Sequence, residues 1–155
     1  MNITGLRFFT VYGEYGRPDM AYYSFTKKIM EGTPIDLFNH GNLERDFTYV
    51  DDIIDGINNV IKIMPTYFKK KSLETPYELF NLGNNKPEKL LYFVKTLEKY
   101  CSKSAIINNI NMQKGDVFRT CANLDREKSI INYQPKICLD KGLEKFVSWY
   151  KDYHK

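Results

Sequence analysis

The chain has 155 residues, 43% hydrophobic and 27% charged, which is enough apolar material for one cored domain and too little length for two. Its 23 Lys and Arg against 19 Asp and Glu give a formal charge of +4, spread along the chain, which is weak evidence for a nucleic-acid partner. No run of about 18 apolar residues offers a membrane span, and Cys101, Cys121 and Cys138 form no CxxC pair, which argues against zinc and a disulfide framework.

In chain order, Ile3 to Tyr12 is rich in β-branched and aromatic residues and predicts a strand, closed by Gly13, Gly16 and Pro18. A helix is expected from about Asp19 to Glu31, stopped by Gly32 and Pro34. Ile35 to Phe38 predicts a short strand, Asn39 to Asn42 a turn, and Arg45 to Val50 another strand. The apolar stripe Ile53, Ile54, Ile57, Val60, Ile61 predicts a helix opening on Asp51 and Asp52 and ending at Pro65. Lys69 to Thr75 reads as a polar loop, its lysine run a solvated surface rather than a phosphate patch. Tyr77 to Leu82 predicts a strand, Gly83-Asn84-Asn85 a turn, and Leu90, Phe93, Val94, Leu97 a helix. Ala105 to Ile110 predicts a strand, Asp125 to Ile131 a short helix, and Leu139, Leu143, Phe146, Val147, Tyr150 the last helix. Strands alternating with helices define an α/β class, with no repeat or linker. The opening MNITGLRFF lacks the charged and long apolar regions of a secretory leader. With cysteines read as reduced thiols, a cytoplasmic location is expected.

Several stretches go further. Gly5-Leu6-Arg7-Phe8-Phe9-Thr10-Val11-Tyr12-Gly13 followed by Gly16-Arg17-Pro18-Asp19-Met20-Ala21, then Arg45-Asp46-Phe47-Thr48-Tyr49-Val50-Asp51-Asp52-Ile53, Phe80-Asn81-Leu82-Gly83, Gly115-Asp116-Val117 and Tyr133-Gln134-Pro135 stand in this order. The chain thereby resembles the extended short-chain dehydrogenase/reductase family, and within it most closely the UDP-glucuronate 4-epimerases. The resemblance implies a Rossmann-type fold and an NAD cofactor, but only the C-terminal, substrate-binding half. The glycine-rich dinucleotide turn of the other half is absent. So is the family's catalytic Tyr-x-x-x-Lys; Tyr23 and Lys27 have that spacing but lie in a helix that the family does not use for catalysis. The expectation is one partial domain over residues 1–155, comprising the last parallel strand and the substrate-binding subdomain, with no catalytic residue, no metal and no NAD bound by this chain alone. A split-gene product, a truncated relic and a fragment stay open as origins.

The resemblance also implies site residues. Arg45 matches the family arginine on the diphosphate, a role suited to a forked donor. Arg17 matches an arginine on the nucleotide or the sugar acid, the rival reading being a loop arginine paired with Asp19. Thr10, at the carboxyl end of its strand, stands where the uronate-specific group has Thr rather than Asn, donating to the sugar carboxylate. Phe38 matches the aromatic lying along uracil, with backbone groups around Asp36 reading the base edge. Asp116 matches an acid on the ribose hydroxyls, and Gln113 a position where some relatives bind phosphate. Phe8 and Phe9 are either core or nicotinamide-side residues. Glu14, where relatives often have Pro, is expected to add unwanted negative charge near the site. Asn123, Phe118 and Arg119 also depart from the family pattern.

The reading that follows is the nucleotide-sugar-binding half of a UDP-glucuronate 4-epimerase-like protein, complemented by a separate N-terminal chain. A non-catalytic remnant or UDP-sugar-binding module is the alternative, and half of another nucleotide-sugar epimerase or dehydratase is a further one. A nucleic-acid module and a membrane partner are not expected. A parallel strand cut off from its neighbours should leave an open edge, so self-association is expected.

Overall fold

In the computed structural model, which describes residues 1–71 and 76–155, the opening strand divides. β1 (Ile3–Phe8) runs parallel to β5 (Tyr77–Leu82), pairing Ile3 with Tyr77 and Phe8 with Leu82. At Phe9, whose amide still donates to Leu82 O at 3.0 Å, the chain changes partner. β2 (Thr10–Tyr12) then pairs parallel with β4 (Glu44–Tyr49), Thr10 opposite Phe47. The single strand expected over residues 3–12 is therefore two short ones. β1 is also more exposed than a strand buried on both faces would be.

The loop after β2 feeds α1 (Ala21–Glu31), which ends at Gly32 with φ +71°, where the Gly32 and Thr33 amides close back onto Ile29 O and Lys28 O. β3 (Ile35–Phe38) follows and pairs parallel with β7 (Ile107–Ile110), Asp36 opposite Asn108. α2 (Val50–Lys71) leaves β4 with no loop between them. Pro65 does not end it. Proline removes the bond to the carbonyl four residues back, but Ile61 and Pro65 both lie on the exposed side, where water can take that carbonyl, while Val60, Met64 and Phe68 stay buried at four-residue spacing. Lys69 to Lys71 are thus the last helical turn rather than a loop, well placed for its dipole; the rest of the expected loop, residues 72–75, lies outside the described residues.

A strand that the sequence does not signal, β6 (Pro87–Lys89), adds antiparallel to β4 before α3 (Leu90–Cys101). α4 (Asp125–Ile131) and α5 (Leu139–Tyr153) complete the chain. The core has two parts. One lies among β2, β3, β4, α1, α3 and α5 around Tyr12, Phe47, Phe93 and Phe146. The other lies under α2, β5 and α4 around Ile53, Phe80, Leu82 and Ile131. Phe47 and Phe93 stack with centroids 4.7 Å apart. α5 closes on β2 because Gly142 leaves room for the Tyr12 ring, which any β-carbon there would strike. Among the described residues no helix is long and apolar enough to cross a membrane.

Candidate functional site

Strands β2, β3 and β4 and one loop meet at a cleft of about 370 Å³, inside the range of about 300–1,000 Å³ usual for small-molecule sites. Thr10 reaches it from the start of β2, not from the carboxyl end of a strand as expected, because the opening strand divides at Phe9; Asp36 and Phe38 reach it from β3, Arg45 from β4, and Asp116 from the loop after β7. Five of the eight expected positions therefore share one cleft.

Arg45 is the fixed point. Its side chain is 18% exposed. Nη1 donates to Glu44 O at 2.9 Å and Phe118 O at 3.3 Å, and Nη2 to Asp116 Oδ1 at 2.7 Å. A guanidinium has five N–H donors, so capacity remains for an anion. Asp116 is brought there by a tight turn: Gly115 adopts φ +86°, and the Asp116 amide donates to Gln113 O at 3.3 Å. The segment that follows is strapped along β4. Glu44 N donates to Phe118 O at 2.8 Å, Thr120 N to Glu44 O at 3.2 Å, and Arg119 Nε sits 3.3 Å from Glu44 Oε2. On the far wall, Asp36 accepts from Asn108 Nδ2 at 2.8 Å and faces Lys28 Nζ at 3.9 Å.

Three expected residues are not in the cleft lining. Arg17 turns to Asp19 instead, with Nε–Oδ1 at 3.0 Å and Nη2–Oδ2 at 2.5 Å, and is 76% exposed. The reason is local: a carboxylate two residues away captures the fork, and that bond holds the Asp19 carboxyl below the usual carboxylate range. Asp19 itself does line the cleft. Gln113 contributes its backbone carbonyl to the turn, and its residue is exposed outside the lining. Phe8 is 51% exposed in a separate hollow of about 430 Å³ with Arg7, Phe9 and Thr120. The two hollows meet at Thr10, which belongs to both. Glu14 lies outside the cleft lining. Tyr49, pushed well above the usual phenol range by burial and by this carboxylate, donates to both Glu14 oxygens, so the expected charge penalty at the site has no structural basis.

Two features escaped sequence reasoning. α1 supplies a wall through Ser24, Phe25 and Lys28; their spacing of one and three residues is the only signal, and it also fits an ordinary helix face. Asp46, next to Arg45, is fully buried and accepts the amides of Asn84 (2.8 Å), Asn85 (3.0 Å) and Ala122 (2.7 Å), while its own amide donates to Thr120 Oγ1 at 3.1 Å. Three backbone donors make a buried carboxylate tolerable, and they lock the turn after β5 onto β4 beside Arg45.

The turn after β2, with Gly13 and Gly16, does not fit the pyrophosphate of NAD. A dinucleotide turn needs glycines whose empty β-carbon space admits phosphate. Here the space beside Gly13 is filled by Val50 and that beside Gly16 by the Tyr22 hydroxyl. The pair with catalytic spacing is also engaged elsewhere, with Tyr23 OH 2.8 Å from His154 Nε2 and Lys27 leaning toward Glu31 at 3.9 Å.

The sequence model of the NAD dependent epimerase/dehydratase family matches residues 1–83. The chain is 45% identical to protein CapI of Staphylococcus aureus over 161 residues, covering 98% of this chain and 48% of that protein. It is 44% identical to UDP-glucuronate 4-epimerase 1 of Arabidopsis thaliana over 160 residues, covering 98% of this chain and 37% of that enzyme. Among solved structures, it is similar to UDP-glucuronic acid 4-epimerase of Bacillus cereus in complex with UDP-glucuronic acid and NAD, with a TM-score of 0.83, 33% identity, and coverage of 96% of this chain and 45% of that one. The chain spans half or less of the length of these relatives.

Proposed function

The chain belongs to the NAD dependent epimerase/dehydratase family, and from that premise we propose that it is the nucleotide-sugar-binding half of a UDP-glucuronate 4-epimerase-like protein. The observation that carries this is the convergence of Thr10, Phe38, Arg45 and Asp116 on one cleft. Each brings the chemistry that one part of a UDP-uronate needs. Phe38 offers a face to uracil, with the β3 backbone at Asp36 along its edge. Asp116 accepts from a ribose diol. Arg45 takes the diphosphate with its remaining donors. Thr10 stands where the cleft opens toward the Phe8 hollow, so the sugar lies there, within reach of Arg17 once that fork exchanges Asp19 for the sugar carboxylate. Gln113, outside the lining, serves through the turn that its carbonyl closes on Asp116, and Phe8 stands on the side from which a nicotinamide approaches. The groups that move the hydride and the proton lie outside these 155 residues, in a separate N-terminal half.

Titration calorimetry with UDP, UDP-glucuronate and NAD tests the proposal. Both UDP compounds bind, and Arg45→Ala weakens them about tenfold or more, the loss of a charge-assisted hydrogen bond worth about 1.5–3 kcal/mol. Equal binding to the variant, or binding of NAD by the chain alone, refutes the assignment.

A further inference from the structure

A hollow of about 840 Å³, larger than the cleft, lies between α1 and the end of α5. No role in the proposed function touches it. Its charge is one-sided. Lys27, Lys28 and Lys151 line it with His154, against Glu31 as the one carboxylate of the lining. The amines are loosely held. Lys27 reaches Glu31, and Lys28 reaches Asp36, only at 3.9 Å, beyond hydrogen-bond distance. Lys151 donates to Tyr100 O at 2.7 Å, which uses one of its three protons. Neutral donors stand among them: the Ser24 hydroxyl, whose own contact to Ala21 O is long at 3.5 Å, and Tyr23, bonded to His154. Compact ammonium charges with hydroxyls between them are the chemistry that recognises phosphate as a point charge. Apolar and aromatic walls from Met30 and Tyr150 shield one side.

We propose that this hollow is a second anion site, for a soluble phosphate-bearing small molecule, separate from the nucleotide cleft. It is built to influence that cleft. Ser24 and Lys28 belong to both walls, since they form the ridge of α1 that divides them. Lys28 faces Asp36 across the ridge. An anion in the hollow draws Lys28 away and leaves Asp36 partnered by Asn108 alone, an uncompensated negative charge beside the base and phosphates of a nucleotide. The two ligands therefore oppose each other, and by linkage the effect is reciprocal.

The chain has one tryptophan, Trp149, whose ring packs 6.4 Å from that of Tyr23, so its fluorescence reports on the hollow. Titration of the 155-residue chain with pyrophosphate gives a saturable fluorescence change. Lys27→Ala combined with Lys151→Ala weakens it at least tenfold, and the saturable change persists in Arg45→Ala, with the far-ultraviolet circular dichroism of each variant showing that it is folded. The proposal is overturned if the folded wild type gives no saturable change, if the lysine double variant binds as the wild type does, or if Arg45→Ala abolishes the change. The Arg45→Ala arm reads the cleft alone, so failure here leaves the UDP-sugar assignment standing, and the reverse also holds.

Discussion

Two neighbouring positions on β4 show how differently buried polar groups are handled. Asp46 has three amide donors on its carboxylate. Thr48, equally buried, has an oxygen with no partner. An unsatisfied buried hydroxyl costs about 1–3 kcal/mol, and valine has nearly the same shape. Thr48→Val is therefore expected to raise stability by up to about 1 kcal/mol, seen as a higher urea midpoint with unchanged slope. A midpoint that falls would mean the hydroxyl has a partner in solution. At this scale the site was partly legible. Arg45 and Asp116 stand in strand and turn motifs that set their direction, and the structure places them 2.7 Å apart. Arg17 was not, because its direction depends on the rival Asp19 two residues away.

The helices meet through a few polar ties as well as through the core. At the junction of α3 and α5, Tyr100 OH donates to Asp140 Oδ2 at 2.7 Å and Lys99 Nζ to Oδ1 at 2.9 Å. The Tyr100 hydroxyl and then the Lys99 ammonium hold the Asp140 carboxyl below the usual carboxylate range. A carboxyl whose folded pKa is depressed adds stability above its unfolded value of about 3.9, lost as pH falls through the lower folded value. Asp140→Asn is thus expected to lower the urea midpoint slightly at pH 7 and not at all once pH is below the folded value, because both proteins then carry a neutral group. An equal deficit at both pH values would assign the loss to packing. Elements differed in how plainly they announced themselves. The α2 stripe was legible, yet its continuation past Pro65 depended on which side of the helix met water. β6, three residues long, has no pattern of its own and exists because β4 offers it an edge.

Over the whole molecule, the exposed apolar residues Ile3, Phe8 and Tyr77 gather on the β1–β5 pair. Among the described residues β1 hydrogen-bonds no strand but β5, so its other edge is open. Open edges template pairing with a further chain, and a charge on the edge blocks it. Sedimentation velocity on the isolated chain is expected to show association that grows with concentration, reduced by Ile3→Lys. A monomer at every concentration would show that the edge is protected.

The class, the alternation of elements and the family were all readable from residue order, because they rest on spacings of two, three and four and on short ordered motifs. The cleft was not, because it is a matter of distance between residues far apart in the chain: Thr10 and Phe47 become neighbours only through strand register, and Arg45 and Asp116 only through the strap along β4. The same holds for the partner change at Phe9 and for the filling of the space beside Gly13 and Gly16 by Val50 and Tyr22. Local periodicity carries no information on which surfaces close against each other; packing does.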